Sequence, residues 1–344
     1  DKSIATIELN KTNDNATVTL AETVERGIIY KVSVADIKDC SGNSMSSISF
    51  EVGIGEKPLF NQIVISEIMA DPEPAVGLPE AEYIEIYNPT DLLLSTENMV
   101  FADNTSVVNL PKFNIKPGEY IILCPTSNVA ELSKFGKTIG VPSWPTLNNT
   151  GETLSFRIFE SLIFSVSYKT EWYKATAKME GGYSLEMIDP KNPCGEETNW
   201  SASNAAVGGT PGIVNSINAV NPDNIGPTIA QTVTSGTDGV IVYFNEKLTP
   251  ALPLGNFSFE PNLTNKEVFL SADYKSIQIY FNEQLQSNLK YTITAKGVKD
   301  CVGNVTENGS KSSFVLPVIA EKGGLLINEV LFNPRTGGSD FVEF

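Results

Sequence analysis

The sequence contains no histidine and few basic residues. Its 344 residues include 24 lysines and arginines against 41 aspartates and glutamates, a formal net charge of −17. The missing histidine excludes Ser-His and Cys-His nucleophile pairs and histidine zinc sites. The negative charge disfavours contact with nucleic-acid phosphates, so no nucleic-acid partner is expected. Carboxylate-pair chemistry, as in glycosidases, stays open in principle.

Long hydrophobic runs and helical spacing are also scarce. No stretch of about 18 apolar residues occurs, which predicts no membrane span. The best helix candidate is Asn128–Gly136. Alternating β-branched and aromatic runs separated by Asn, Gly, Asp and Ser are common instead, as in Gly239–Phe244 and Ser276–Phe281. This pattern predicts an all-β fold of the β-sandwich or barrel type, with less than about a tenth helix. About seven strand candidates in one module favour tandem Ig-like β-sandwich domains.

The chain repeats itself out of phase with its ends. The segment KDCSGN at Lys38 returns as KDCVGN at Lys299, and IVISEIMADP at Ile63 returns as LLINEVLFNP at Leu325. EYIEI at Glu82 returns as DFVEF at Asp340. Two module types therefore alternate, and both the first and the last module are partial. Repetition of whole modules is typical of scaffold and surface proteins and disfavours a single catalytic centre.

The first module type is complete over residues 226–317 and carries about seven strand candidates. It combines VYFNEKL (Val242–Leu248) with a later YTITAKGVKDCVGN (Tyr291–Asn304). These motifs resemble bacterial Ig-like domains of the S-layer type. The resemblance implies a spacer or presentation domain without catalytic residues, and residues 1–55 match its C-terminal half.

The second module type covers residues 60–217. Its marks are Ile63–Pro72, EAEYIEIYNPTD (Glu80–Asp91), YSLEMIDPKNPCGEETNWSAS (Tyr183–Ser203) and GGTPGIVNS (Gly208–Ser216). This series resembles the lamin-tail domain, an Ig-fold module, and residues 323–344 fit the start of a second copy. The resemblance implies a sandwich that mediates attachment. The combination resembles Bacteroidetes surface proteins, so we expect an extracellular or cell-surface location. Residues 126–147 and 161–178 are less typical and are expected to be insertions.

The expected function is a non-catalytic region of a modular secreted or cell-surface protein, serving structural presentation, adhesion or protein interaction. Other surface proteins or glycans would be its partners. One alternative is an accessory region of a secreted nuclease, phosphatase or peptidase whose catalytic domain lies elsewhere. Another is a carbohydrate-binding module that uses Trp144 or Trp172, although core cover is the simpler interpretation of both. Trp200 is expected to plug the sandwich.

Carboxylates concentrate near the first two strands of the second module, at Glu67, Asp71, Glu80, Glu82 and Glu85. Glu85 is expected to face outward, because it alternates with Ile84 and Ile86. If Val64 and Ile68 face the core, Glu67 lies near Glu85, and the pair becomes a weak candidate calcium site. The favoured interpretation is a solvated acidic edge that discourages strand addition. No other cofactor is expected.

Asp39 and Asp300 occupy the same place in the two KDC turns, where a structural Asx-turn is favoured over a cation-binding turn. Cys124 and Cys194 are the one cysteine pair within a single predicted domain, although spacing does not fix connectivity.

The incomplete ends predict exposed apolar faces and possible self-association. Val18 and Leu20 should therefore be less buried than their counterparts Ile279 and Phe281, and Ile4 and Ile7 should be similarly exposed.

Overall fold

The structure, a computed structural model, describes residues 2–306 and 308–344. Strands dominate, and helix accounts for 6%, which confirms the all-β prediction. The chain divides into two compact units, Asp1–Asn224 and Ile225–Phe344. Over the described ranges, no helix is long and apolar enough to cross a membrane.

The first unit begins with two antiparallel hairpins. Their strands are β1 (Ile4–Leu9), β2 (Ala16–Leu20), β3 (Tyr30–Val34) and β4 (Ile48–Val52). β1 pairs with β2 and β3 with β4, in two separate two-stranded sheets. Residues 1–55 therefore form four strands.

The rest of the first unit is a larger sandwich. Its strands are β5 (Val64–Met69), β6 (Tyr83–Tyr87), β7 (Leu94–Ser95), β8 (Met99–Ala102), β9 (Val107–Asn109), β10 (Asn114–Ile115), β11 (Tyr120–Pro125), β12 (Thr138–Val141), β13 (Gly151–Ile158), β14 (Ser161–Lys169), β15 (Leu185–Met187) and β16 (Trp200–Ala202). A short helix α1 (Val129–Leu132) lies within the predicted helical segment. Short 3-10 turns occupy Thr126–Asn128, Thr170–Tyr173, Thr176–Lys178 and Glu196–Asn199.

Two main sheets build this sandwich. A six-stranded sheet has the order β12-β11-β6-β5-β15-β16, and a four-stranded sheet has the order β14-β13-β8-β9. Their apolar faces form one core, which includes Ile84 and Ile86 from β6 and Trp200 from β16. Trp200 is fully buried, which agrees with the prediction that it fills the core of the sandwich.

The predicted insertion at residues 161–178 is wrong for its first half. β14 pairs along its length with β13 and supplies buried residues to the core, among them Phe164 and Val166. The alternation in SLIFSVSYK is therefore that of a sandwich strand. Residues 126–147 include α1 and β12, and β12 extends the six-stranded sheet by parallel pairing with β11.

The second unit contains seven strands between Ile229 and Val315, the number predicted. They are β17 (Ile229–Thr234), β18 (Gly239–Phe244), β19 (Phe257–Glu260), β20 (Asn265–Leu270), β21 (Ser276–Phe281), β22 (Lys290–Ala295) and β23 (Ser310–Val315), with a 3-10 turn at Leu254–Asn256. A sheet of order β17-β18-β21-β20 faces a sheet of order β19-β22-β23, and their buried residues form a single core.

A last hairpin, β24 (Glu329–Leu331) and β25 (Phe341–Glu343), ends the chain. Glu329 pairs with Glu343 in this hairpin, just as Glu67 pairs with Glu85 between β5 and β6. The repeated sequence therefore forms the same strand register in both places. Both strands of the C-terminal hairpin are exposed.

Residues 1–55, which are predicted to match half of a module, are exposed at positions where the matching residues of the second unit are buried. Val18 and Leu20 are 49% and 36% exposed, whereas Ile279 and Phe281 are 0% and 2% exposed. Ile4 and Ile7 are 57% and 60% exposed. These values confirm the expectation from the repeats.

We predict that Phe259→Ala destabilises the seven-stranded sandwich by about 3–5 kcal/mol, because it removes a buried aromatic ring from the core. Phe259 packs edge-on against Phe281 and Phe314. Hydrogen exchange of the β21 and β22 amides measures this change locally. Phe269→Ala is the matched control, since Phe269 is 53% exposed. Equal effects of the two substitutions would contradict the assignment of Phe259 to the core.

Candidate functional site

Three glutamates meet on one face of the six-stranded sheet. Glu67 of β5 pairs directly with Glu85 of β6 on one side and with Glu186 of β15 on the other. All three are fully buried. This triple of glutamates, called here the acid cluster, lies on the sheet face opposite the sandwich core.

A β-bulge in β5 places Glu67 on that face. The register shifts between Ile65, opposite Ile86, and Glu67, opposite Glu85. Ser66 is the extra residue, and such an insertion changes which side chains share a face. Because of it, Ile65 and Ile68 both belong to the sandwich core, which is why simple alternation could not fix the direction of Glu67.

Glu67 is satisfied by hydroxyl and backbone donors. Its Oε1 accepts hydrogen bonds from the Tyr83 hydroxyl at 2.7 Å, the Ser184 hydroxyl at 2.6 Å and the Thr210 backbone N–H at 2.8 Å. Buried carboxylates need such partners, since an unpaired one costs several kcal/mol in a medium of low polarity.

The other two glutamates hold the segment that closes this module. The backbone N–H of Gly212 donates to Glu85 Oε2 at 2.6 Å, and that of Ile217 donates to Glu186 Oε2 at 3.1 Å. The hydroxyls of Thr210 and Ser216 donate to Glu186 at 2.9 and 2.8 Å. Residues 209–217, called here the closing segment, are therefore bonded to all three carboxylates.

Two expectations about this region are wrong. Glu85 does not face solvent, and the acid cluster is not a solvated edge, because the closing segment covers it. The predicted proximity of Glu67 and Glu85 is present. The sequence reasoning missed Glu186, although LEM at Leu185–Met187 alternates as IEI does at Ile84–Ile86.

Burial and mutual repulsion shift the acidity of the cluster. Burial raises the pKa of Glu67 from 4.5 to about 7, and the nearby Glu186 charge contributes in the same direction. Burial, then the Glu67 charge, raises the pKa of Glu85 well above its ordinary value. Burial also raises the pKa of the Tyr83 hydroxyl, so this group stays protonated and serves as a donor.

The remaining carboxylates of the region do not join the cluster. Glu82 accepts hydrogen bonds from Trp144 Nε1 at 2.8 Å and from the Leu147 backbone N–H at 3.1 Å. Burial raises the pKa of Glu82. Asp71 is half-buried and Glu80 is exposed.

The two tryptophans considered for sugar stacking are both engaged within the protein. Trp172 is 3% exposed and packs against Trp200, so its ring is not available to an external sugar and that suggestion is wrong for Trp172. Trp144 is half-buried, is bonded to Glu82, and packs against Phe101.

Both KDC turns have the Asx geometry that the sequence favoured. Asp300 Oδ1 accepts the backbone N–H groups of Val302, Gly303 and Asn304, while Asn304 Nδ2 donates to Asp300 Oδ2 at 2.8 Å. Asp39 accepts the backbone N–H groups of Ser41 and Asn43 and the Asn43 side chain. The carboxylate oxygens of both aspartates therefore stabilise the turn.

The cysteines of the two turns differ in oxidation state. Cys40 is an exposed free cysteine, whereas its counterpart Cys301 is disulfide-bonded.

The bond between Cys124 and Cys194 that the sequence allowed is not formed. Cys124 is a buried free thiol next to Met69 and Tyr83, and burial raises its pKa to about 11. Cys194 is disulfide-bonded. An inert buried thiol of this kind behaves as a small apolar residue.

Residues 217–315 match the family model described as the bacterial Ig-like domain. The match covers less than a third of the chain and coincides with the sandwich built from β17 to β23. The match supports the resemblance of residues 226–317 to bacterial Ig-like domains. The lamin-tail resemblance of residues 60–217 and 323–344 stays an expectation.

Three similar solved structures are of S-layer protein SbsC. Its N-terminal part is 23% identical, with TM-score 0.25, over 27% of this chain and 24% of that one. SbsC domains 1-6 are 21% identical, with TM-score 0.26, over 32% of this chain and 15% of that one. The structure of rSbsC(31-844) is 22% identical, with the same score and coverage. At these scores the likeness carries no argument. No curated protein matches the chain.

We predict that the free energy of unfolding of the first unit falls as pH rises from about 4.5 to about 7. In this window the folded protein retains a proton on Glu67 that the unfolded chain has lost, so the contribution of Glu67 to stability is fully present below the window and is lost as pH rises through it. The loss is on the order of 3 kcal/mol for this one group. Chemical denaturation at several pH values measures it.

Glu67→Gln should flatten this pH dependence, because the amide oxygen still accepts hydrogen bonds and the side chain no longer ionises. Glu80→Gln is the matched control, since Glu80 is exposed, and it should leave the slope unchanged. Glu67→Ala should destabilise at every pH by roughly 1–3 kcal/mol per buried donor left unpaired. Identical slopes for the parent and the Glu67→Gln protein would contradict the prediction.

Calcium binding at Glu67 and Glu85 stays a prediction. The oxygens already accept hydrogen bonds from the chain, and backbone N–H groups cannot ligate a cation, so an ion would have to displace the closing segment. We therefore expect binding only at millimolar Ca²⁺. For a dissociation constant near 1 mM, about 10 mM Ca²⁺ would stabilise the fold by about 1.4 kcal/mol. A thermal shift that chelation reverses and Glu85→Gln abolishes is expected, and no shift would remove the site.

Proposed function

We propose that this chain is a non-catalytic region of a bacterial surface protein, where it spaces or presents other modules. The observation that carries the proposal is that two sequence motifs occur twice in the chain and fold in the same way each time. The KDC turns at Asp39 and Asp300 share their bonding, and the hairpins at Glu67 and Glu329 share their register. Repeated units of one architecture suit a spacer, and the bacterial Ig-like match over residues 217–315 supports the same conclusion.

The acid cluster also supports a structural role. A carboxylate pair that performs hydrolysis must reach its substrate and a water molecule. Glu67, Glu85 and Glu186 are fully buried, and they bind the closing segment. Their arrangement therefore favours a clamp within the module over a catalytic pair.

The partners we propose are other surface proteins or glycans, with the chain located outside the cell. Of the two candidate tryptophans, Trp144 is half-buried whereas Trp172 is buried, so Trp144 is the residue that a glycan would contact. A glycan array with the parent protein and Trp144→Ala tests this contact. Equal binding by both proteins, or no binding, would leave surface proteins as the partners.

We predict no turnover of DNA, phosphoesters, peptides or polysaccharides by the purified chain. Activity that survives repurification and is lost on a single carboxylate substitution would contradict the proposal. Localisation is measured separately, by labelling intact cells of the source bacterium with an antibody before and after protease treatment. Labelling that requires cell lysis would contradict a surface location. A catalytic domain joined to this region in the full gene would favour an accessory role in a secreted hydrolase.

A further inference from the structure

The two outer faces of the seven-stranded sandwich carry different side chains. On the sheet β19-β22-β23 the outward positions are polar, as a solvated face requires. Ser258 lies opposite Thr294 there, and Glu260 lies opposite Thr292. The sheet β17-β18-β21-β20 instead has apolar and aromatic residues at outward positions. We call this set the aromatic face, and its members are Val233, Ile241, Tyr243, Phe269, Gln278 and Tyr280.

Strand pairing places these side chains next to one another. Ile241 lies opposite Val233 on one side and Gln278 on the other. Gln278 in turn lies opposite Phe269, so one row of the face crosses all four strands. The Tyr280 ring stands edge-on to Phe269, with 6.1 Å between ring centroids. On β18, β20 and β21 these positions alternate with residues that form or contact the sandwich core.

The rings of the aromatic face are exposed to solvent. Tyr243 is 40% exposed and Phe269 is 53% exposed. In the hairpin β1–β2, which repeats β20–β21, Glu8 stands at the position of Phe269, and the strands pair in the same register. The hairpin therefore forms with a polar residue at this position. Exposed aromatic residues grouped on one surface indicate an interaction site.

The size and charge of the aromatic face limit what can cover it. Its four strands are each six residues long. With strands about 4.8 Å apart and about 3.3 Å per residue, the face measures roughly 400 Å². Stable complexes of folded proteins bury about 800 Å² on each partner, so another globular domain, or a second copy of this chain, needs more surface than this. The six residues carry no charge at neutral pH, so the face does not select an acidic or basic partner. These limits favour an uncharged linear segment.

The hydroxyl groups of the aromatic face suit a partner that offers hydrogen-bond acceptors. Gln278 Nε2 donates to the Tyr280 hydroxyl oxygen at 2.5 Å, so the Tyr280 proton remains for an outside acceptor. Tyr243 supplies a second hydroxyl. A polyproline II segment has solvated backbone carbonyls and no internal hydrogen bonds, and it combines these acceptors with apolar proline rings.

The spacing of the two most exposed rings also fits such a segment. Phe269 and Tyr243 are two strands and two residues apart, which corresponds to roughly 12 Å across the sheet. Four residues of polyproline II at about 3.1 Å each cover the same distance. Two prolines separated by this distance would therefore meet both rings.

We propose that the aromatic face is a docking surface for an uncharged, proline-rich segment of another surface protein. The segment lies across β18, β21 and β20, with proline rings against Tyr243 and Phe269. Its backbone carbonyls accept hydrogen bonds from the Tyr243 and Tyr280 hydroxyls. Aromatic surfaces bind such ligands because the polyproline II helix is ordered before it binds. This contact gives the second unit a partner of its own, in addition to the proposed spacer role.

Nuclear magnetic resonance on the full chain tests the proposal. The isotope-labelled protein is titrated with an acetylated and amidated polyproline peptide of about twelve residues, which is long enough to cross the face. Saturable shifts are expected at the amides of β18, β20 and β21, and none at those of β19, β22 and β23. A Gly-Ser peptide of equal length, which is flexible, is the matched ligand control and should cause no saturable shifts.

Tyr243→Ala and Phe269→Ala should each weaken peptide binding by at least about tenfold, because each removes a ring that contacts proline. Thr292→Ala, on the polar outer face, is the control variant and should bind as the parent does. Unchanged shifts of the core amides show that each variant is folded. The absence of saturable shifts with polyproline would overturn the proposal, as would equal affinity of the parent and both ring variants. Saturable shifts of the same strands with cellohexaose and not with polyproline would also overturn it, because the face would then bind a neutral glycan.

Discussion

The burial of three carboxylates beneath the closing segment is the constraint on which the larger sandwich of the first unit depends. The six-stranded sheet has one face against the four-stranded sheet, and its other face would be open without this cover. Backbone N–H groups of Thr210, Gly212 and Ile217 end on the three glutamates. The closing segment is thereby held on this face of the sheet through polar contacts, with hydroxyl and N–H donors meeting the carboxylates.

Much of the fold could be predicted from the sequence. Alternation located most strands, because apolar side chains at every second position mark a face that must be buried. The repeat provided the module order, and the exposure of Val18 and Leu20 followed from comparison with Ile279 and Phe281. The insertion expected at residues 161–178 is wrong for its first half, because Phe164 and Val166 alternate as in a sandwich strand and join the core.

The candidate site could be predicted only in part. The proximity of Glu67 and Glu85 was accessible, because neighbouring strands bring their side chains together. The burial of Glu85 could not be predicted, because Gly212, whose backbone N–H binds its carboxylate, lies 127 residues away in the chain. Alternation of apolar and polar residues along a strand shows that its two faces differ. It does not show which part of the fold covers each face. The bulge at Ser66 added a second obstacle, because one extra residue changes the phase of a strand.

A chain without histidine still carries a side chain poised to exchange its proton near neutrality. Burial and the nearby Glu186 charge raise the pKa of Glu67 to about 7, a pH at which an exposed glutamate is fully ionised. The donors from Tyr83, Ser184 and Thr210 converge on this same carboxyl group. Proton uptake by Glu67 therefore links the acidity of the surrounding solution to the contacts that hold the closing segment on the sheet.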